Sequence, residues 1–539
     1  MALALSTDMS TQYQKKIDNR LMYLYGSYLD NNEKDYNMLI PFKKDPAEFN
    51  QRVLFPSNVF DMLPKDHECF IFDDIVRQID ISSIEKNYSR LGQNAYSPRL
   101  DVGILIYAYS KGVFSSRQIE KRCHEDLGFM YISHLNCPNF RVLSDFRKDN
   151  PDFLNECFKQ SALLAKQLGL VSFGHVSLDG SKLKANTSKH KAMSYEYMNL
   201  REEELVNQIK ELVAQAEECD KREDEQLQDK TGYEIPDELK IKEKRLAKIR
   251  EAKEALEERE NELNPGKKVD EKKQISFADK EARIMGKKGQ YDYAYNGQIS
   301  VDEKAQIIVG EHLSPNANDK KEVAPALEEI QKTMGELPDK MSLDNGYMSG
   351  ANLEALDKAE VDAYVATGRE DKKDLRPLED CSRQIKKSDF EYDDERNCFT
   401  CPGGHTLELK CEGKDGKRVY QAEREACEKC AYRERCCKSE KGEARTINTD
   451  DKEPQRQKMN KKMEQEDSKE VYKKRKQIVE PVFGQIKNSG FRGFLLRGYK
   501  KASGEFSLAC AVHNFKKILR AIRSGEVRLG AGKMEPAMA

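Results

Sequence analysis

Two hydrophobic periodicities alternate along the chain. From about residue 54 to 165 apolar positions recur at helical spacing. Leu100, Val102, Ile104, Leu105 and Ala108 mark one stripe, which ends at Lys111-Gly112, where glycine suits a left-handed helix cap. Ser115-Ser116-Arg117 opens the next helix, with Ile119 and Lys121-Arg122 on its first turns. Two helices joined by a short glycine turn read either as a packed pair or as a helix-turn-helix. Residues 174–184 predict a short strand ending in a glycine turn at Asp179-Gly180. Between Met198 and Leu263 the helical period returns. Leu205, Ile209, Leu212 and Ala216 form one stripe, and Leu239, Leu246, Ile249 and Leu256 another. Thr231-Gly232 and Pro236-Asp237 interrupt them, which predicts an antiparallel helical hairpin with a charged, solvated face.

Strand character resumes at Tyr291–Asp302 and Ala305–Leu313, a predicted hairpin. A helix over about 320–334 follows, then a strand from Lys340 into an Asp344-Asn-Gly turn, a helix over 349–358 and a strand over 361–367. This order predicts a mixed α/β sheet covered on both faces. Residues 380–450 break the pattern with cysteine and charge, and about 469–523 is helical, with aromatic and basic positions.

Composition narrows the function classes. The chain has 539 residues, 38% of them hydrophobic, enough for several domains with real cores. No run of about 18 apolar residues exists, so no membrane helix is expected. The first ten residues lack the basic and apolar regions of a signal peptide, which points to a cytoplasmic protein with reduced thiols. Lys plus Arg number 92 against 94 Asp plus Glu, so only local charge is informative. Residues 471–528 hold 14 Lys or Arg against Glu480, Glu505 and Glu526, with aromatics interleaved at Phe491-Arg492-Gly-Phe494 and Arg497-Gly-Tyr499. That is either a cationic helical surface over core aromatics or a nucleic-acid footprint.

Candidate chemistry lies in three acids. Asp179 and Asp344 each close a Ser-Leu-Asp triplet before a glycine turn, a setting that would leave both carboxylates at the carboxyl edge of one sheet. Two carboxylates brought together there repel unless a cation lies between them, and hard oxygen ligands favour Mg²⁺ or Mn²⁺. Taken singly, a strand-end Asp is more often a turn former. Glu480 precedes Pro481, which suits a helix start. Its flanking Ile478, Val479, Val482 and Phe483 predict a partly buried site, and Lys476 and Lys487 are expected near its face. Separately, Cys398-x2-Cys401 and Cys427-x2-Cys430, followed by Cys436 and Cys437, have the spacing of a zinc ribbon. Cys398 falls in a predicted strand, so the preferred ligand set is Cys401, Cys427, Cys430 and Cys436, with unliganded thiols as the alternative.

The blocks Leu-Asp179-Gly, Leu-Asp344-Asn-Gly-Tyr and Val-Glu480-Pro-Val-Phe-Gly-Gln-Ile-Lys487 resemble those that carry the acids of DDE-class insertion-sequence transposases. The last block resembles the family's Tyr-Arg-Glu-Lys signature, with either Arg475 or Lys476 in the place of its arginine. Ala95-Tyr-Ser-Pro98, Gly112–Glu120 and Asp145-Phe-Arg147 resemble the helical DNA-binding region of that family. The resemblance implies an α/β ribonuclease H-like mixed-sheet core, within 166–378 and 451–525. The residue pattern sets around it an N-terminal extension (1–50), a helical helix-turn-helix-like domain (51–165), a helical-hairpin insertion (196–265), a small Cys-rich zinc-ribbon-like insertion (380–450) and a disordered tail (526–539). The resemblance implies two Mg²⁺ or Mn²⁺ ions on Asp179, Asp344 and Glu480, while the cysteine spacing adds one structural Zn²⁺ as an expectation. The resemblance further implies DNA contacts from Lys476, Lys487, Arg475, Arg492, Arg497 and Arg117. The implied partner is double-stranded DNA, as terminal repeats and target, bound by a homo-oligomer. The implied activity is strand cleavage and transfer; the alternatives are a nuclease or resolvase without transfer, and an inactive DNA-binding derivative.

Overall fold

A computed structural model describes residues 58–536, apart from 90, 92–93, 188–191, 225–236, 288, 369–373, 375, 414–415, 438–442 and 531–532. The N-terminal extension and the Thr231-Gly232 and Pro236 breaks lie outside the described residues. The chain divides into two units. One comprises 1–45 and 81–98, in which the described part holds the short helix Ser82–Glu85. The other comprises 46–80 and 99–539 and contains everything below but Pro98.

Its helical part has α1 (Glu68–Arg77), α2 (Pro98–Ser110), α3 (Ser116–Glu125), α4 (Leu127–Ile132), α5 (Phe140–Asp149) and α6 (Pro151–Gln167). Gly112 takes a φ of 72°, the left-handed cap that its position after α2 requires. The stripe expected on α2 is wider than its pattern suggested. Residues 101–109 are all buried, including Asp101, because α2 is enclosed on every side.

Six strands form the central sheet: β1 (His175–Lys184), β4 (Arg283–Lys287), β5 (Gln290–Asp302), β6 (Ile308–Ser314), β7 (Lys340–Leu343) and β8 (Asp362–Val365). The long β5 pairs antiparallel with β1 along one edge. Its other edge is shared, β4 taking the first half and β6 the second. On the far side of β1, β7 and then β8 run parallel to it. Helices α9 (Val323–Met334) and α10 (Gly350–Lys358) supply the crossovers that parallel pairing needs. The fold is thus a mixed α/β sheet with a helical N-terminal region.

The buried helix α16 (Tyr499–Ser524) packs on α6 and β6. Two residues fit it there. A side chain at Gly504 would meet the Pro151 backbone, so glycine permits the close approach to α6. Asn514 accepts from Ile308 N at 2.8 Å and donates to Ile308 O at 2.9 Å, satisfying β6 backbone where the β5–β6 register slips.

Between β1 and β4 the chain forms β2 (Ala192–Ser194), the long helices α7 (Tyr195–Asp224) and α8 (Asp237–Leu263), and β3 (Gln274–Ser276). β2 and β3 pair antiparallel and close the base of the helical pair, a clasp too short to read from the pattern. Leu205, Leu246, Ile249 and Leu256 bury together with Met198, Ala252 and Ile275. After β8, strands β9 (Glu391–Asp393), β10 (Cys398–Thr400), β11 (Thr406–Glu412), β12 (Lys417–Ala422) and β13 (Thr446–Asp450) make a separate antiparallel sheet in the order β13-β12-β11-β10-β9. Helices α11 (Arg424–Glu428) and α12 (Arg433–Cys436) lie between β12 and β13. The return to the main sheet runs through α13 (Glu453–Glu464), α14 (Glu466–Ile478) and α15 (Glu480–Asn488). Beyond α16, where a disordered tail was expected, Val527–Gly530 (β14) pairs antiparallel with Lys533–Pro536 (β15). No helix among the described residues is long and apolar enough to cross a membrane.

Candidate active site

The two Ser-Leu-Asp triplets lie side by side. β1 and β7 pair in parallel through Ser177↔Ser342 and Leu178↔Leu343, the last partners in the register. A buried hydroxyl contact of 2.6 Å between Ser177 and Ser342 joins the strands at that level. Asp179 and Asp344 are therefore the first residues past the end of the pairing, on adjacent strands about 5 Å apart.

Their backbones then differ. Asp344 leaves its strand as the N-cap of a single 3-10 turn, and its Oδ1 accepts from Gly346 N at 2.8 Å. Asp179 does not end its strand. β1 continues through Gly180 to Lys184 because β5 pairs with it along that whole length, which corrects the glycine turn expected there. Gly180 serves a close approach instead. A Cβ on it would lie 2.9 Å from Asp319 Oδ1 and 3.0 Å from Asn296 Oδ1.

Glu480 is the first residue of α15, with Pro481 tolerated in that first turn. α14 packs against β1, β7 and β8 and so carries Glu480 toward the strand ends. Helix α14 ends at Ile478, so Lys476 and Glu480 are not one turn apart on a continuous helix. Lys476 is exposed, as Glu480 is. Arg475 is 6% exposed. Its Nη2 lies 3.0 Å from Asp179 Oδ1 and its Nη1 3.3 Å from Glu480 Oε1. The partly buried Glu480 expected from its neighbours is also corrected. Ile478, Val479, Val482 and Phe483 are buried, while the Glu480 side chain is 49% exposed.

Burial pushes the Asp179 carboxyl up to about 6; Arg475 opposes this, while the charges of Asp344 and Asp319 add to it. Lys487 bonds Ser181 Oγ, two residues beyond Asp179. Burial lowers its ammonium and Asp179 partly restores it. Tyr347 is fully buried and donates to Gln298 Oε1, a packing role. Sequence reading missed Asp319, Asn296 and Gln298: nothing in Asn316-Ala-Asn-Asp319 separates a site acid from loop and cap residues.

At the far end of β1, Lys184, Asn186, Thr187, Arg492 and Arg497 line an open groove. Phe494 N donates to Lys184 O at 2.8 Å and Arg497 Nε to Asn186 O at 3.0 Å, so the basic segment is laid along the strand. Arg492 and Arg497 are exposed, while Phe491 and Phe494 are core. Arg117 is exposed on α3, its guanidinium 4.3 Å from the centre of the Phe140 ring.

In the Cys-rich sheet, Cys401, Cys427, Cys430 and Cys436 line one small cavity with Cys437 and His405. Cys398 is buried in β10. Cys401 Sγ accepts from His405 N at 3.3 Å and Cys430 Sγ from Tyr432 N at 3.4 Å. Burial pushes the Cys436 thiol up to about 12. Among the described residues no group of three or more His, Cys, Asp or Glu is placed so that it could hold a metal ion as it stands. At the acids, Arg475 occupies the place of a cation. The donor chemistry still fits: all-oxygen carboxylates suit a hard divalent ion, and amide-supported thiols suit zinc.

Two aspartates on adjoining strands of a mixed sheet, with one buried arginine joining Asp179 to Glu480, define a carboxylate site of the kind that handles cations or phosphates. Family models point to a class over part of the chain. A model described as "Transposase DDE domain" matches residues 400–519, and one described as "Transposase domain (DUF772)" matches 57–149. The first includes Glu480; neither spans Asp179 or Asp344. The resemblance to DDE-class transposases is therefore shown by family models as well as by motif. No curated protein matches the chain. Among solved structures, a cryo-EM piggyBac transposase synaptic complex with hairpin DNA is similar at 10% identity and a TM-score of 0.27, covering 86% of this chain and 76% of that one.

Proposed function

We propose that this chain binds the ends of a mobile DNA element and catalyses metal-dependent strand cleavage and strand transfer, on a ribonuclease H-like core. The observation that carries the reading is the register that sets Asp179 beside Asp344, with Arg475 joining Asp179 to Glu480. The strand pattern supports the core: an antiparallel β6-β5-β1 half followed by parallel β7 and β8.

Asp179, Asp344 and Glu480 would hold Mg²⁺ or Mn²⁺. When bound, such ions supply an activated water or 3′-hydroxyl and neutralise the leaving oxygen. The remaining roles fall to the chain's own groups. Arg475 neutralises two of the acids in the ion-free state and would have to release one to admit a cation. The donors so freed are then available to a phosphate near the acids. Lys487, anchored through Ser181, supplies a second fixed positive charge where a phosphate gains charge in the transition state. Arg492 and Arg497 grip the DNA backbone along the β1 groove, and Arg117 on α3 adds a contact from the helical part. Zinc on Cys401, Cys427, Cys430 and Cys436 would stiffen the second sheet. Two DNA ends are to be joined, which calls for more than one copy.

Asp179→Asn, Asp344→Asn and Glu480→Gln should each lower Mg²⁺-dependent cleavage of an end-containing duplex by about a hundredfold or more. Near wild-type cleavage by any of them would refute the site. Cleavage with no joining of labelled ends to target DNA would leave a nuclease.

A further inference from the structure

We propose that Asp319 is a fourth carboxylate of the same cation site, an inference that rests on the function proposed above. Asp319 lies on the loop before α9, one helix and strand ahead of Asp344 and far in sequence from Asp179 and Glu480. Two amides on β5 fix it: Asn296 Nδ2 and Gln298 Nε2 each donate to its Oδ1 at 2.7 Å. Both amides are fully buried. The β1–β5 register sets Gln298 opposite Gly180 and Asn296 opposite Lys182, so the anchor sits directly across from the strand that carries Asp179.

Two glycines leave the room. A side chain at Gly180 would run first into Gln298 Nε2, the amide that holds Asp319, and then into Asp319 Oδ1 at 2.9 Å, and one at Gly346 would meet Asp344 Oδ1 at 2.9 Å and Asp319 Oδ2 at 3.3 Å. Asp319 Oδ2 and Asp344 Oδ1 thus face one point, with the Asp179 strand beside it. The amides hold Oδ1, which leaves Oδ2 as the oxygen directed at Asp344. The Asp319 side chain is 22% exposed, so an ion can reach it, and Lys182 Nζ stands 3.8 Å from its Oδ1. One further observation points to a ligand. Asn296 Oδ1 is buried with no hydrogen-bond partner, and it faces the same Gly180 position as Asp319 Oδ1. A buried amide oxygen left unpaired is costly, and a metal-bound water would satisfy it.

The opposing reading is that Asp319 is only a strut for the two amides. Asp319→Asn separates the two, since an asparagine oxygen still accepts from both amides but carries no charge. Binding of Mn²⁺ to the full chain is read from the electron-paramagnetic signal of free Mn²⁺, without DNA and without turnover. Asp319→Asn should weaken Mn²⁺ binding about tenfold at an unchanged melting temperature. Unchanged binding in Asp319→Asn, with weakened binding in Asp179→Asn and Asp344→Asn, overturns the inference and leaves the site reading intact. Unchanged binding in all three overturns the site reading itself. If Asp319→Asn does not fold, wild-type protein loaded with Fe²⁺ and treated with ascorbate and peroxide decides. Backbone cuts near 179, 344 and 319 support the proposal, and cuts near 179 and 344 without one near 319 overturn it.

Discussion

Arg147 is the deepest charge in the helical part, and removing it should cost more than removing any surface arginine. It is 2% exposed and donates to Tyr109 Oη at 2.9 Å, Phe114 O at 2.9 Å and Ser116 Oγ at 2.6 Å. Tyr109 in turn donates to Glu505 Oε1 at 3.0 Å, and Glu505, fully buried on α16, accepts from Leu495 N at 2.9 Å and Leu496 N at 3.1 Å. Arg147 is the cation that offsets the burial of Glu505, whose carboxyl is raised by desolvation and pulled back by Arg147. Arg147→Met fills similar volume but strands that carboxylate, a loss of about 3–5 kcal/mol. The mutant can limit the loss by protonating Glu505. Because the folded-state pKa of Glu505 then lies further above its unfolded value, stability falls as pH rises. The deficit should therefore be larger at pH 8 than at pH 5. Urea unfolding followed by circular dichroism at both pH values measures it. Arg147→Met with Glu505→Gln should recover at least half of the loss, since the stranded charge is gone. A deficit below about 1 kcal/mol at pH 8, or a double mutant no better than Arg147→Met, would refute the account.

Glu311 is fully buried and its carboxyl is pushed up to about 7 by desolvation, against hydrogen bonds from Ser507 at 2.6 Å and Asn155 at 3.2 Å. A raised carboxyl contributes stability below its unfolded pKa and loses it as pH climbs through about 7. Glu311→Gln keeps an acceptor and cannot ionise, so it should gain about 1–2 kcal/mol over wild type at pH 8 and nothing at pH 5. Equal shifts at both pH values would rule this out. Purified protein should carry about one zinc per chain by elemental analysis. Chelation should lower the melting temperature in wild type but not in Cys430→Ser, and zinc-free protein with the same melting curve would leave Cys401, Cys427, Cys430 and Cys436 as plain thiols.

Long-period elements were legible in the sequence, and distances across the chain were not. The β5–β6 hairpin and the stripes on α7 and α8 stand out because burial on one face imposes a period. The repeated Ser-Leu-Asp hinted at two matched strands. That the triplets pair residue for residue in parallel is a tertiary fact which alternation alone does not encode. Asp179 misled because Asp-Gly is the ordinary signature of a turn; here the glycine serves the approach of Asp319 and Asn296 to an unbroken strand. Arg147 shows how little a motif says about exposure. It stands in a segment that resembles a DNA-binding region, yet it is sealed inside the protein. At the third acid, the choice between Arg475 and Lys476 turned on where α14 stops, a boundary that sequence periodicity fixes only to within a few residues.

The three-segment build of the site also sets a clock on synthesis. Asp179 is in place early, while Glu480 and Arg475 emerge about 300 residues later, roughly 15–60 s at ribosomal speed. During that interval β1 can pair with β5, its antiparallel neighbour, but its other edge stays open until β7 arrives. A chain stopped just before residue 475 would have both aspartates without the arginine that neutralises Asp179, and an α/β sheet without the end of α14 and the α15 and α16 helices that follow it. Premature termination should therefore yield insoluble fragments rather than partial enzymes.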